Sequence, residues 1–131
     1  MATGLGSSTA QGILNELCNA GSWAIPTSFW VKLHLGDPGA AGSSNAASNT
    51  TRQSASFASA AAAGTITTNA DITWTSVSAT ESYSHVSFWD ASTGGTLIAT
   101  DNLEVTRGLT AGDNFTIASG DIDISIAAVA S

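Results

Sequence analysis

The sequence predicts a mostly β domain, a β-sandwich or jelly roll of about eight to nine short strands with one short N-terminal helix. Three observations lead to this fold class. Apolar residues near the N-terminus follow the spacing of one helix face, and from residue 29 onward they alternate with polar residues as in strands. Turn signals separate the short alternating segments. The length of 131 residues fits a single domain over residues 1–131.

The helix is expected over Ser8–Asn19, within an N-terminal arm and helix that span residues 1–22. A helix this short is not stable alone, so we expect its apolar face to dock on the sheet. That face consists of Ala10, Ile13, Leu14, Leu17 and Cys18. Because the chain has one cysteine, no intrachain disulfide is possible, and Cys18 is expected to be a buried packing thiol.

The first strand is predicted over Phe29–Leu35, where apolar residues occupy every second position. The turn signal Gly36–Gly39 ends it, since proline fixes φ and aspartate and glycine suit the flanking positions. The low-complexity segment 39–51 follows as a long loop. It is interpreted as a mobile surface loop or as an arm that becomes ordered on a neighbouring subunit.

Further short strands are predicted between turn signals at Ser92–Gly95 and Thr110–Asp113. In the predicted strand Tyr83–Trp89, alternation places Tyr83 with His85 on the face opposite Val86 and Phe88. The alanine run Ala58–Ala63 is interpreted as one helical turn or a tight crossing. The predicted strands are Arg52–Phe57, Thr65–Thr68, Asp71–Trp74, Tyr83–Trp89, Thr96–Thr100, Leu103–Arg107, Asn114–Ala118 and Asp121–Ile126.

Charge excludes several classes of function. Charged residues make up 10% of the chain, the net charge is −7, and the fixed cations are Lys32, Arg52 and Arg107. Three cations do not form a phosphate-tracking stripe, so we expect no nucleic-acid binding and no attraction to an anionic membrane. The start of the chain lacks the pattern of a signal peptide. We therefore expect the protein to function in the cytosol or in a particle assembled there. A surface of small neutral residues favours close packing against other subunits.

No motif for catalysis or cofactor binding is visible, so we expect a non-enzymatic protein with no cofactor and no metal. His34 and His85 are the exception to consider, because their side chains would meet if the two strands were neighbours. With a nearby aspartate they would form a metal site, but a polar layer hydrogen-bonded to serine, threonine or backbone is favoured. Asp121 and Asp123 are interpreted as a solvated strand face rather than as a glycosidase pair.

The chain carries four tryptophans: Trp23, Trp30, Trp74 and Trp89. Such residues fill a core or anchor a protein interface. Their spread over separate strands does not favour one stacking platform for bases or sugars.

Several segments, taken in order, resemble a family of small virion proteins of tailed phages, especially phages of actinobacteria. The most specific are His34–Gly42 with the strand before it, and Tyr83–Asp90. Thr51–Gln53 and Leu109–Asp113 add to the resemblance, which spans nearly the whole chain. Members of this family are labelled tail fibre protein, minor structural protein or head decoration protein.

The resemblance implies a role in particle assembly. A capsid decoration protein is the leading hypothesis, with the major capsid protein and copies of the chain itself, as a trimer, for partners. The alternative is a tail fibre or tail-tip component that contacts a host surface glycan. A small enzyme using His34 and His85 is the hypothesis from another class. The residues expected at an interface are Leu5, Trp23, Trp30, Ser43, Asn45 and Trp89.

Overall fold

A computed structural model describes residues 4–59 and 64–125 of the chain. This part contains one helix and nine strands, which confirms the predicted mostly β fold. Ala60–Ala63 and Ile126 lie outside the described residues, so the interpretations of the alanine run and of the last strand's end are not tested there. The elements are β1 Gly4–Leu5, α1 Ser7–Leu17, β2 Trp30–His34, β3 Gln53–Ser54, β4 Thr65–Thr67, β5 Ile72–Trp74, β6 Glu81–Trp89, β7 Leu97–Leu109, β8 Phe115–Ile117 and β9 Asp123–Ser125.

The strands form two packed layers with the core between them. One layer is an antiparallel sheet in the order β1-β7-β6-β2-β3, and the other consists of the pairs β4-β9 and β5-β8. Aromatic rings join the layers: the ring centroids of Tyr83 on β6 and Phe115 on β8 lie 5.4 Å apart, and Phe115 also packs on its neighbour Trp74 within its own layer. Alternation explains this arrangement, because Val31 and Leu33 of β2 both point into the core and are fully buried.

The prediction that Tyr83 lies on the face of His85 is wrong. Tyr83 is fully buried and packs in the core with Val86 and Phe88. The reason is an irregularity in the β6–β7 pairing: Tyr83 pairs with Arg107 but His85 pairs with Asn102. The four residues 103–106 therefore stand opposite one residue of β6, and the strict period of two is lost at this bulge.

β7 is one strand of 13 residues, whereas alternation predicted two separate strands in this stretch. Both halves pair with β6, and the bulge between them interrupts the sequence pattern without ending the strand. The predicted turn before β7 is confirmed. Gly94 and Gly95 adopt φ values of 59° and 72°, a left-handed conformation that glycine allows without a steric penalty.

The helix is present where it was predicted, but it is rotated from the expected orientation, so that Ala10 and Ile13 are half-buried while Leu14 and Leu17 are exposed. α1 docks through Thr9 and Gly12, which are buried. A Cβ added to Gly12 would overlap the Trp23 indole ring, so the absence of a side chain lets the ring contact the helix closely. Cys18, predicted to be buried, is exposed, as are Leu14 and Leu17 on the same side of the helix.

The segment that follows β2 folds back onto the protein's own sheet. The Leu35 amide donates to the Asn45 carbonyl over 2.7 Å, and the Ala47 amide donates to the Leu33 carbonyl over 3.2 Å. Pro38 is fully buried. The first part of the 39–51 loop, residues 39–47 and called here the covering loop, thus forms a compact cover over the outer face of β2 and β6.

Candidate subunit interface

The clearest candidate interface is the apolar stripe of α1, defined here as Ala10, Ile13, Leu14, Leu17 and Cys18. Leu14 is 60% exposed and Leu17 is 77% exposed. Beyond the helix, Ile25 is 63% exposed. Ala10 and Ile13 are half-buried, so the exposed part of the stripe is Leu14, Leu17 and Cys18. Apolar side chains that an amphipathic helix leaves exposed in this way are available to pack against another protein.

Strand β1 fixes α1 at the edge of the large sheet. Gly4 and Leu5 pair with Thr100 and Ala99 of β7, and the Gly6 amide donates to the Ile98 carbonyl over 2.7 Å. Leu5 is 52% exposed. Its predicted place at an interface stays a prediction, but the structure places it directly before the exposed stripe in the chain.

A second surface lies on the outer face of the sheet, where Trp30 of β2 stands directly opposite Trp89 of β6. The Arg52 guanidinium lies 4.1 Å from the centroid of the Trp89 ring, a cation–π distance. It also donates to the carbonyls of Ala91 and Gly94, over 2.7 and 2.8 Å, which fastens the β6–β7 turn to this face. Trp89 is therefore half-buried beneath an arginine rather than open to solvent.

Beneath the same face, His34 is fully buried in a chain of hydrogen bonds. The Trp89 indole N–H donates to the Ser87 hydroxyl over 2.7 Å, which leaves that hydroxyl to donate to His34 Nε2 over 2.8 Å. His34 Nδ1–H then donates to the Ser44 carbonyl over 2.9 Å. These partners fit a neutral imidazole, and burial lowers the pKa of His34 below its usual value.

The two histidines do lie directly opposite each other on β2 and β6, as required by the hypothesis that they meet. His85 Nδ1 is 2.8 Å from the Ser84 hydroxyl, and His34 is engaged with Ser87 and Ser44. The favoured interpretation, a polar layer hydrogen-bonded to serine and backbone, is confirmed. Among residues 4–59 and 64–125, no three histidine, cysteine, aspartate or glutamate side chains are placed to hold a metal ion.

The predicted interface residues fall into two groups. Trp30, Trp89, Ser43 and Asn45 gather on the outer face of the sheet and its covering loop, while Leu5 and Trp23 belong to the N-terminal region. Asp121 and Asp123 are exposed, in agreement with a solvated strand face.

Sequence reasoning missed two features. Arg52 is 37 positions from Trp89, and no local pattern connects them. The exposure of Leu14 and Leu17 was also missed, although Gly12 in the middle of a helix was a possible signal for a close contact on another face.

No helix in the described stretches of the chain combines the length and the apolar character needed to cross a bilayer. The fold and its surfaces define a small β-sandwich protein with an exposed apolar helix face, a class suited to assembly with other proteins. The comparison with known families is more specific. Residues 4–125 match the family described as podophage GP4 fiber I protein gp80, and the chain belongs to this family of phage virion structural proteins. No curated protein matches the chain.

The family match supports the general prediction that the chain is a structural protein of a phage virion. The narrower expectations, an actinobacterial phage and a role in head decoration, stay predictions.

Proposed function

We propose that the chain is a structural subunit of a phage fibre that acts without catalysis, by packing the apolar stripe of α1 against other protein subunits. The exposure of Leu14 and Leu17 carries this proposal. Removing such side chains from water is the main favourable term in protein association. The description of the family as a fiber protein supports the fibre as the location.

The composition supports the same role. Only 10% of the residues are charged, so few charges must be desolvated when the surface is covered. Association with further copies of the chain, as a closed trimer, is part of the proposal, because most homo-oligomers have closed point-group symmetry.

Head decoration is the second candidate function. The observation that favours it is the covering loop, whose exposed residues Ala40, Ala41 and Ser43 are small and neutral and allow close approach to a shell built of major capsid protein. A decoration protein binds the assembled shell and stabilises it by mass action.

Cryo-electron microscopy of purified particles tests both roles, with the chain carrying a C-terminal tag that is labelled by a gold-conjugated antibody. We expect label on a fibre and a low copy number. Label on the head at symmetric positions would replace the fibre with decoration, and absence from the particle would contradict both proposals.

A further inference from the structure

A groove, called here the β1 groove, lies between β1, the covering loop and the start of β7. Its volume is about 250 Å³, and its walls include Leu5 from β1, Gly39 and Ala40 from the covering loop, and Leu97 and Thr100 from β7. We propose that this groove receives the exposed end of the α1 stripe of a second copy of the chain. This docking rests on the proposed function and identifies the surface that the stripe contacts.

A closed trimer needs two different, complementary surfaces on each copy. In a two-fold dimer one patch meets the same patch of the partner, whereas in a three-fold ring each contact joins one patch to a different patch of the next copy. The exposed end of the stripe, Leu14, Leu17 and Cys18, supplies one of these patches. The trimer therefore requires an acceptor elsewhere on the chain that suits apolar side chains.

Charge distinguishes the β1 groove from two other grooves on the described part of the chain. A groove beside Trp23 has Asp90 in its wall, and a groove between the two layers is lined by several charged side chains, among them Glu104 and Asp121. Charged groups lose their hydration when a leucine side chain covers them, which opposes binding. The residues that line the β1 groove are all uncharged, so leucine can be buried there without this penalty.

The β1 groove also suits a leucine side chain in size and access. An apolar cavity of roughly 150 Å³ holds a benzene-sized group, so a volume of about 250 Å³ has room for a leucine side chain. Gly4, Gly6 and Gly39 add no side chains to the walls, which lets the backbone of a neighbouring helix come close. Leu5, which is 52% exposed, and Leu97 provide apolar contact surface.

The stripe of the same chain cannot fill this groove. Ser7 begins α1 and lines the groove, whereas Leu17 ends α1. A rise of 1.5 Å per residue over the ten steps from Ser7 to Leu17 separates them by about 15 Å. The donor and acceptor surfaces therefore lie at opposite ends of the helix, which is the arrangement that a head-to-tail ring of three copies requires.

Cys18 makes this docking testable, because it is exposed at the end of the stripe and is the one cysteine of the chain. Ala40→Cys places a second thiol at an exposed position in the groove wall. The purified full chain with this substitution is oxidised with copper phenanthroline and resolved on a non-reducing gel. A disulfide requires Cα atoms within about 7 Å, so we expect covalent dimers and trimers that link Cys18 of one copy to the new cysteine of the next.

Thr116→Cys is the matched control, since Thr116 is exposed on β8 in the opposite layer. Ala40→Cys should cross-link at least about tenfold faster than this control, because a bound neighbour raises the effective concentration of its thiol. Adding Leu14→Asp and Leu17→Asp to Ala40→Cys should remove the difference.

The docking is overturned if Ala40→Cys cross-links no faster than Thr116→Cys. It is also overturned if the unaltered chain forms disulfide dimers through Cys18 as fast as the variant, because two stripes would then face each other. The purified chain is used, so the result does not depend on the place of the protein in the particle. Label absent from the particle would contradict the fibre role and leave the cross-links in place, whereas absent cross-links would leave the label on the fibre.

Discussion

The α1 stripe and the free edge of β7 are both exposed, but they differ in how they meet solvent. The stripe presents Leu14 and Leu17 with no charge among its own residues. Along β7, strand β1 pairs only with Ala99 and Thr100, and the remaining edge carries Asp101, Glu104 and Arg107.

The difference indicates which surface is open to association. Unpaired strand edges invite pairing with other chains, and proteins oppose this with charges and bulges. The free edge of β7 has both, because its bulge at residues 103–106 coincides with Glu104. The stripe has neither, so association of this protein is expected through the helix and not through the sheet.

The largest expected effect comes from placing charge on the stripe. Leu14→Asp combined with Leu17→Asp should reduce incorporation into particles by more than about 100-fold, since each buried leucine contributes roughly 1.5–3 kcal/mol. Competition between variant and unaltered chains during particle assembly, read by mass spectrometry, measures the ratio.

Val105→Asp is the matched control, because Val105 is 62% exposed on β7. It should incorporate normally. Normal incorporation of the double variant would show that the stripe is not the interface.

The next effect concerns how α1 is docked. Gly12→Ala should destabilise the protein by about 1–3 kcal/mol despite the better helix propensity of alanine, because the new Cβ would meet the Trp23 ring. Urea unfolding followed by tryptophan fluorescence gives the change. Gly108→Ala on β7 is the control: its Cβ would lie 3.4 Å from the Ser82 hydroxyl, an ordinary contact, so stability should be kept. Equal losses in both variants would contradict the proposed packing.

A change of pH should separate stability from association. The buried His34 has a lowered pKa in the folded protein, so below about pH 6.5 the unfolded chain binds a proton that the folded chain does not. The free energy of unfolding is then fully present above that pH and falls as pH decreases, by up to about 1.4 kcal/mol per pH unit. Denaturant unfolding at several pH values measures this slope.

His85→Gln leaves the buried imidazole in place and should retain the slope, whereas His34→Gln should lose it. Association through the stripe should change little over the same range, because the stripe contains no histidine. A pH-independent stability of the unaltered chain would refute this account of His34.

The smallest effect is expected at the edge of β7. Glu104→Thr with Arg107→Thr removes two protecting charges without changing the net charge, and should allow weak self-association worth roughly 0.5–1 kcal/mol. Sedimentation velocity at increasing concentration measures it, with Glu104→Asp and Arg107→Lys as the charge-retaining control. A monomeric double threonine variant would indicate that the bulge alone protects the edge.

Most of the fold could be predicted from the sequence because its signals are local. Alternation in Phe29–Leu35 and the Ser92–Gly95 turn depend on residues next to one another, and both predictions are confirmed. Tyr83 was placed on the wrong face because a bulge is set by the pairing of two strands, which one strand's pattern does not contain.

The candidate interface was less predictable. Helical spacing identified the stripe but assumed that all of it docks inward, whereas Trp23 packs against Gly12 on a neighbouring face and Leu14 and Leu17 stay exposed. The His34 network was partly visible, since alternation put Ser87 and Trp89 on one face. The Arg52 contact with Trp89 joins distant positions, so only the folded chain reveals it.

The covering loop has a consequence for hydrogen exchange. Three hydrogen bonds join the covering loop to the end of β2 and the residue after it. They are donated by the Leu35 amide, the Ala47 amide and the His34 ring N–H. The loop cannot open by itself without breaking these bonds and exposing the buried imidazole. The amides of Leu35 and Ala47 should therefore exchange with solvent deuterium as slowly as those of the central strands, so that loop and sheet open as one cooperative unit.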